Sequence, residues 1–235
     1  MATFTYQERF RTAKGVFDEF TQRHLFELQS REVFDELVSP IEVGKESNVF
    51  IAAKGKEKVI VKIYRVQNCD FKRMYDYIRK DPRYEHLRKH RREIIFAWVQ
   101  REYANLLRAQ EAGVATPVPI AWRNHILVES LIGDKDPAPQ LKDAPPAVPE
   151  KFFGEVVENM RKLYQKGLIH GDLSAFNILN WKEKPYLIDF SQSTLTKTPN
   201  WEELLFRDVK NMVRFFLKLG VKTSKEELLE SIRKV

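Results

Sequence analysis

Several features that would mark a secreted or membrane protein are missing from this sequence of 235 residues. It contains one cysteine, Cys69, so no internal disulfide can form, which suits a reducing cytoplasm. No apolar run approaches the roughly 18 residues that cross a bilayer, so we expect no membrane span. The first residues lack an apolar core followed by a small-residue cleavage site. We therefore expect no secretory signal and a cytoplasmic location.

Positive charge is concentrated in one part of the chain. The net charge is +7, and residues 71–92 hold nine Lys or Arg residues against three acidic ones. Tyr75, Tyr77 and Tyr84 lie in the same stretch, and basic clusters with aromatic rings suit a phosphate-rich partner such as RNA. A solvated helix face is the alternative interpretation. The basic residues are Lys72, Arg73, Arg79, Lys80, Arg83, Arg88, Lys89, Arg91 and Arg92.

The apolar pattern predicts a mixed α and β fold. Residues 1–30 carry an irregular apolar stripe and are interpreted as helix. The β-favouring runs 47–53 and 58–64 are joined by a turn that contains Gly55, which indicates a hairpin. A long amphipathic helix follows and ends at Gly113.

The second half of the chain begins with a proline-rich stretch. Five of the eleven prolines lie between residues 137 and 149, where neither a helix interior nor a central strand fits. An amphipathic helix is predicted next, ending at Gly167. Asn200 with Glu203 and Ser224 with Glu227 have the spacing of capping boxes, which predicts two closing helices.

Four polar residues, His170, Asp172, Asn177 and Asp189, lie among short apolar runs. His-x-Asp-x-x-x-x-Asn followed by Ile-Asp-Phe is the pattern that phosphoryl transfer from ATP uses. Asn177 and Asp189 supply the oxygen ligands that suit Mg²⁺, and Asp172 is left as the catalytic base. A turn-forming role is the alternative for any one of these residues taken singly.

Lys62 lies at the centre of an apolar strand, where an ammonium is costly unless it serves anions. "VIVK" around it matches the strand lysine of kinases. Glu102, on the amphipathic helix, is its predicted partner, and a charge run on a solvated helix is the alternative.

Residues 43–50, "VGKESNVF", occupy the place of a phosphate-covering loop between strands. Only Gly44 of the usual three glycines is present, so Lys45, Ser47 and Asn48 are predicted to add side-chain donors for phosphates. An ordinary hairpin turn is the alternative interpretation.

Parts of an ordinary protein kinase are also absent. Ser191 replaces the glycine of Asp-Phe-Gly, no Ala-Pro-Glu follows, and a short stretch separates Asp189 from the helix predicted at Trp201. We expect no activation segment and no platform for an extended peptide. The acceptor is then another group, the chain itself or water.

Six segments together closely resemble the RIO family of atypical protein kinases, and within it the Rio-one subfamily and its archaeal members. The resemblance covers roughly residues 20–235. The Pro-Ala-Pro motif and the "DFSQS" ending of the last aspartate motif carry it most specifically. The segments are "VGKESNVF", "VIVKIYR", "LIGDKDPAPQLK", "LIHGDLSAFNILN", "YLIDFSQS" and "FRDVKNMVRFFLKLGV".

The resemblance implies an α+β, two-lobed protein-kinase-like fold with a small β-rich N-lobe and a mainly helical C-lobe. The implied divisions are an accessory segment (1–38), the N-lobe (39–129), the hinge (130–133) and the C-lobe (134–235). It further implies ATP with Mg²⁺, or Mn²⁺ in its place. Serine autophosphorylation or a transient aspartyl phosphate, ATPase turnover and a role in small ribosomal subunit maturation are also implied, with a monomer expected.

The resemblance also assigns roles by position. Lys62 holds the phosphates and pairs with Glu102, Asp172 is the base, and Asn177 and Asp189 bind metal. Asp189 is also the candidate for phosphorylation. The backbone groups of Ser130 and Ile132 read adenine. Glu129 falls where the family has an apolar gatekeeper, a departure that affects the nucleotide pocket.

The basic stretch 71–92 coincides with a flexible loop of the family that carries an autophosphorylated serine. Residues 65–103 contain neither Ser nor Thr, so contact with rRNA or the pre-ribosomal small subunit is its expected use. Two alternatives stay open. One is a small-molecule or tRNA-modification-complex kinase, and the other is an RNA-binding scaffold with a silent nucleotide pocket.

Overall fold

The computed structural model describes residues 17–44, 46–66 and 69–234. Residues 1–16 of the helix predicted for residues 1–30, and the donor predicted at Lys45, lie outside the described residues. Within the described ranges, no helix is both long enough and apolar enough to cross a membrane.

The N-terminal region is built on a five-stranded antiparallel sheet, with the strand order β1-β2-β3-β5-β4. Glycine at position 55 turns β2 into β3 as predicted. Helix α3 crosses one face of the sheet, and α1 covers the other. The elements are α1 (Glu19–Ser30), β1 (Glu36–Val43), β2 (Ser47–Lys54), β3 (Glu57–Tyr64), α2 (Phe71–Ile78), a 3₁₀ turn (Pro82–Tyr84), α3 (Arg91–Glu111), β4 (Pro119–Arg123) and β5 (Ile126–Ser130).

Alternation along β3 separates the two faces of this sheet. Val59, Val61 and Ile63 pack in one hydrophobic core with apolar residues of α1. Because successive side chains of a strand point to opposite faces, Ile60 and Lys62 face the other side, where α3 lies. One strand therefore supplies both a core and a charged group.

The C-terminal region is mainly helical and holds the larger hydrophobic core, which also includes apolar residues of α3. Two short antiparallel pairs, β6 with β9 and β7 with β8, position the polar segments 170–177 and 188–193 at their ends. The fold class expected from the sequence, α+β with a β-sheet N-lobe and a helical C-terminal region, is confirmed. The elements are α4 (Pro149–Gln165), β6 (Leu168–Ile169), β7 (Ile178–Trp181), β8 (Lys184–Leu187), β9 (Thr194–Leu195), α5 (Trp201–Lys218) and α6 (Lys225–Arg233).

The basic stretch 71–92 is only partly a loop in this structure, because its longest non-helical part is residues 85–90. The stretch includes α2, the 3₁₀ turn and the first residues of α3, and the side chains of Asp70 and Asp81 cap the first two by accepting from backbone N–H groups. Met74 and Ile78 of α2 are buried in the larger core. Apolar anchoring and capping together explain why the first part of the stretch is helical.

Local predictions at other element ends have mixed outcomes. Ser224 and Glu227 form the predicted capping box of α6. The box predicted at Asn200 is wrong, since Asn200 has φ −107° and ψ 20°, outside the extended conformation that turns a cap side chain onto the helix N–H groups. Strand β1 runs across the division drawn between residues 38 and 39.

Candidate active site

Lys62 of β3 lies between two buried carboxylates. Its Nζ is 3.1 Å from Oε1 of Glu102 on α3 and 2.9 Å from Oε1 of Glu129 on β5. The first contact is the pair predicted from the sequence, and the second was not predicted. Although burial opposes the charged form, these carboxylates raise the pKa of Lys62 well above its usual value. The ammonium is therefore held in its charged form on the face of the sheet where α3 lies.

Glu102 has partners for both of its carboxylate oxygens. Oε1 contacts Lys62, and Oε2 accepts a hydrogen bond from the hydroxyl of Tyr64. Burial raises the pKa of Glu102, while the charge of Lys62 acts in the opposite direction. The rigid placement of Glu102 fixes the position of the lysine between β3 and α3.

The segment that carries Asp172 is held by a buried carboxylate on α5. Asp208 accepts hydrogen bonds from the backbone N–H of Gly171 at 2.7 Å and of Leu173 at 2.8 Å. Gly171 has φ +78°, and a Cβ there would lie 2.9 Å from the carbonyl oxygen of Gln192. Only glycine fits this approach, so the backbone on both sides of Asp172 is fixed.

The carboxylate of Asp172 lies between two side chains of the C-terminal region. Gln192 donates from Nε2 to Oδ2 at 2.9 Å, and Arg207 Nη2 lies 3.9 Å from Oδ1. Burial and then the negative charge of Asp189 raise the pKa of Asp172. A raised pKa suits a group that exchanges a proton with an acceptor.

Helix α2 contacts the same two side chains. Arg73 donates to Oε1 of Gln192 at 3.2 Å, and Arg207 donates to the hydroxyl of Tyr77 at 3.0 Å. The basic stretch is therefore attached beside Asp172.

Asn177 and Asp189 each keep an oxygen that faces no donor among the described residues. Asn177 donates from Nδ2 to the carbonyl of Asp172 at 2.8 Å, which leaves Oδ1 available. Oδ1 of Asp189 accepts from the hydroxyl of Ser191 at 2.6 Å, which leaves Oδ2. Asp189 has φ 60°, in the left-handed region that is uncommon for residues other than glycine but is adopted by aspartate more often than by most.

The segment that follows Asp189 is anchored by α3. Arg101 is fully buried and donates to the carbonyl of Ser191 at 3.0 Å, while its Nε lies 3.0 Å from Asp81. Asn105 donates to the carbonyls of Phe190 and Ser193 at 3.1 and 2.9 Å. The helix that supplies Glu102 thus also holds the Asp189 segment in place.

A backbone hydrogen bond closes the predicted phosphate loop. Gly44 N–H donates to the Ser47 carbonyl at 2.9 Å. Oδ1 of Asn48 accepts twice from Arg65, so any phosphate contact of this side chain would come from its amide NH₂.

In the hinge, Ser130 exchanges hydrogen bonds with Val118, and the Ile132 carbonyl accepts from Ala138 N–H at 2.8 Å. Gly133 has φ +153°, and a Cβ there would lie 2.1 Å from the carbonyl of Asp136. The backbone after Ile132 is therefore closely packed.

The chemistry of the available oxygens fits Mg²⁺. In the part of the chain that the structure describes, no group of three or more His, Cys, Asp or Glu residues could hold a metal ion. The pair Asn177 and Asp189 is suited to a hard cation that keeps waters and takes further oxygens from phosphates. Lys62 adds a donor for the same phosphates.

Sequence reasoning missed Gln192, Arg207, Asp208 and Arg101. Asp208 and Arg101 carried a signal, because each is a charged residue within the apolar stripe of an amphipathic helix. Gln192 and Arg207 lie within two of the segments that carry the resemblance, but no local pattern indicated their contacts, which join segments that are distant in sequence.

The sheet with its lysine and helix glutamate, joined by a short hinge to a helical region with paired aspartate segments, defines a protein-kinase fold without an ordinary activation segment. Residues 48–229 match the family model described as RIO domain. The RIO-type serine/threonine-protein kinase Rio1 of Methanocaldococcus jannaschii is 44% identical over 97% of this chain and 79% of that protein. The chain belongs to the RIO domain family and is an atypical serine/threonine protein kinase.

Two further comparisons agree with this assignment. Human serine/threonine-protein kinase RIO1 is 35% identical over 89% of this chain and 38% of that protein. The crystal structure of the Rio2 kinase ADP/Mg²⁺ phosphoaspartate complex from Chaetomium thermophilum has a TM-score of 0.70 at 26% identity, covering 90% of this chain and 65% of that one. The chain therefore spans just under two thirds of that Rio2 chain.

Proposed function

We propose that this chain is a cytoplasmic, monomeric kinase and ATPase that transfers the γ-phosphoryl group of ATP during small ribosomal subunit maturation. The observation that carries the proposal is the buried Lys62–Glu102 ion pair, together with the contact by which Gln192, three residues after Asp189, holds Asp172. These are the groups that phosphoryl transfer requires.

Each residue has a role in this proposal. Lys62 binds the phosphates, the amide groups near Gly44 and the Asn48 side chain support them, and the backbone of Ser130 and Ile132 contacts adenine. Asn177 and Asp189 hold Mg²⁺, with Mn²⁺ as a substitute, and the metal neutralises charge on the phosphates. Asp172 accepts the proton of the attacking group, or aligns it.

Two phosphoryl acceptors fit the site. One is a serine hydroxyl, whose proton passes to Asp172 as its oxygen bonds to the γ-phosphorus and ADP leaves. The other is Oδ2 of Asp189, which bonds to the γ-phosphorus as the bond to ADP breaks and ADP leaves. Water then hydrolyses the aspartyl phosphate to phosphate and free carboxylate. The free Oδ2, together with the phosphoaspartate of the similar Rio2 complex, supports the second path. Alternation between the two steps amounts to ATP hydrolysis.

The basic stretch supports a ribosomal partner. Eight of its nine Lys and Arg residues are exposed, while Arg83 is partly buried against Asp81. Neither Ser nor Thr occurs in residues 65–103, so the stretch does not itself accept phosphate on a hydroxyl of these types. Contact with rRNA in the pre-ribosomal small subunit is the use that the exposed charge favours.

The test is incubation with γ-labelled ATP and Mg²⁺, alone and with small-subunit precursors, followed by acid and base treatment of the labelled protein. An acyl phosphate is lost in base, whereas serine phosphate largely survives acid. Asp172→Ala should lower turnover by about 10²- to 10⁴-fold while ATP still raises the unfolding temperature. Unchanged turnover in that variant would remove Asp172 from the mechanism.

An RNA-binding scaffold with a silent nucleotide pocket is the second candidate, favoured by the exposed basic residues. It predicts RNA binding without labelled protein, released phosphate or protection by ATP. The same incubation therefore separates the two candidates.

A further inference from the structure

Glu129 is a buried acid with one unused oxygen. The side chain is at the end of β5 beside the hinge, and the residue is 3% exposed. Oε1 contacts Lys62 at 2.9 Å, while Oε2 has no hydrogen-bond partner in the described ranges. A buried carboxylate oxygen without a donor is costly, and such an atom in a native fold calls for a ligand or a specific role.

The sheet register places Glu129 at the end of an apolar row. Ile51 of β2 lies opposite Ile60 of β3, and Ile60 lies opposite Glu129 of β5. All three side chains share the face of Lys62, since Val59 and Val61 pack in the core on the other face. Neither Ile51 nor Ile60 belongs to the hydrophobic cores that the described residues form.

The composition of this row suits contact with a purine. Ile51 and Ile60 are 6% and 8% exposed, so each branched side chain offers a small apolar area to a ring face, and a ring edge turned towards the hinge would meet Glu129. A carboxylate accepts hydrogen bonds and donates none when ionised. The purine edge that it meets must therefore carry an N–H donor.

We infer that Oε2 of Glu129 accepts a hydrogen bond from the 6-amino group of adenine and selects adenine over 6-oxopurines. The inference rests on the ATP site proposed above and adds a specificity-determining side chain to it. Guanine and hypoxanthine present an oxygen at this position, which the carboxylate repels. Lys62 remains bound to Oε1, so one residue orients the lysine and reads the base.

The test compares three nucleotides by titration calorimetry with Mg²⁺: ATP, purine riboside triphosphate, which lacks the 6-amino group, and inosine triphosphate. The wild-type chain should bind ATP about tenfold or more tightly than purine riboside triphosphate, because the lost hydrogen bond involves a charged acceptor. In Glu129→Met this ratio should fall to about threefold or less, with the remainder owed to the Ser130 carbonyl.

Glu129→Gln is the second variant. It keeps the size and polarity of the side chain, so it tests the inference even if Glu129→Met fails to fold. Its amide can donate to a 6-oxo group, so inosine triphosphate should gain affinity relative to ATP. Glu57→Met, an exposed glutamate on β3, is the matched control and should keep the wild-type ratios.

Two failures are distinguishable. Tight ATP binding with the same nucleotide ratios in the wild type and both Glu129 variants overturns this inference and leaves the proposed function standing. A wild-type chain that binds no ATP overturns both.

Discussion

Gln192 donates a hydrogen bond to Oδ2 of Asp172 at 2.9 Å. Gln192 lies in the segment that begins with Asp189, so the predicted base is held by the same backbone that carries the predicted metal ligand. A donor to the ionised carboxylate stabilises that form and lowers its pKa, opposing the effect of burial.

Gln192→Leu should therefore raise the pKa of Asp172. The ionised base would then be lost at higher pH, so the acid limb of the rate profile should shift upwards, and kcat at neutral pH should fall. The measurement is ATP turnover between pH 5 and pH 9. Thr196→Val, a partly buried change farther along the chain, is the control. An acid limb at the wild-type pH would contradict the role of Gln192.

Lys62→Met should destabilise the fold as well as abolish turnover. The substitution leaves the carboxylates of Glu102 and Glu129 buried without their cation, a loss of about 3–5 kcal/mol at neutral pH. The double variant Lys62→Met/Glu129→Met removes one of these charges and should recover part of the loss.

Urea unfolding measures both free energies, and Lys56→Met, in the exposed turn before β3, is the matched control. Equal losses in the single and double variants would show that Glu129 carries no unpaired charge after removal of the lysine.

Acid should destabilise the N-terminal region through His125. Burial, with the nearby His24, lowers the pKa of His125 to about 4 from an ordinary value of 6.5. The unfolded chain then binds a proton between these values while the folded chain does not. Stability is therefore present above pH 6.5 and is lost as the pH falls towards 4.

The expected loss from this group is about 2 kcal/mol between pH 8 and pH 5. Between pH 8 and pH 5, the free energy of unfolding of His125→Gln should therefore fall by about 2 kcal/mol less than that of the wild type. Urea unfolding at the two pH values measures this difference. His86→Gln, at an exposed position, should behave as the wild type. Equal pH dependence in all three proteins would contradict burial of a neutral imidazole.

Neutralising Arg88, Lys89, Arg91 and Arg92 with glutamine should weaken binding to a labelled small-subunit rRNA fragment. Each lost phosphate contact makes the negative slope of log K against log salt less steep by about 0.7 to 0.9. Fluorescence anisotropy at four salt concentrations measures the slope. The control neutralises four other exposed basic residues, Lys210, Arg214, Lys218 and Lys222. An unaltered slope would return residues 71–92 to the solvated-face interpretation.

The sequence predicted what local pattern encodes. The β2–β3 hairpin follows from alternation and a glycine turn, and the Lys62–Glu102 contact follows from a lysine in an apolar strand and an apolar-striped helix. Asn200 had a suitable spacing to Glu203, yet its backbone conformation depends on how the preceding segment packs, which spacing does not encode.

The contacts around Asp172 depend on long-range packing. Arg73 and Tyr77 reach Gln192 and Arg207 over more than a hundred residues of sequence. The resemblance placed the stretch that contains Arg73 in a flexible loop, whereas the structure anchors part of it in the larger core through Met74 and Ile78 of α2. Sequence analysis also did not predict the contact of Glu129 with Lys62, because the order of strands in the sheet decides which strands are neighbours.

Arg101 and Glu102 are consecutive residues of α3, and they grip different parts of the molecule: one the Ser191 carbonyl, the other the ammonium of Lys62. Because both residues belong to one rigid helix, a movement of α3 that breaks one of these contacts also strains the other. Any partner that tilts α3, for example by pulling on the basic residues at its N-terminal end, would therefore move both the carboxylate that contacts Lys62 and the guanidinium that contacts the Ser191 carbonyl. A partner could therefore alter both contacts by moving this one helix, without phosphorylation of the chain.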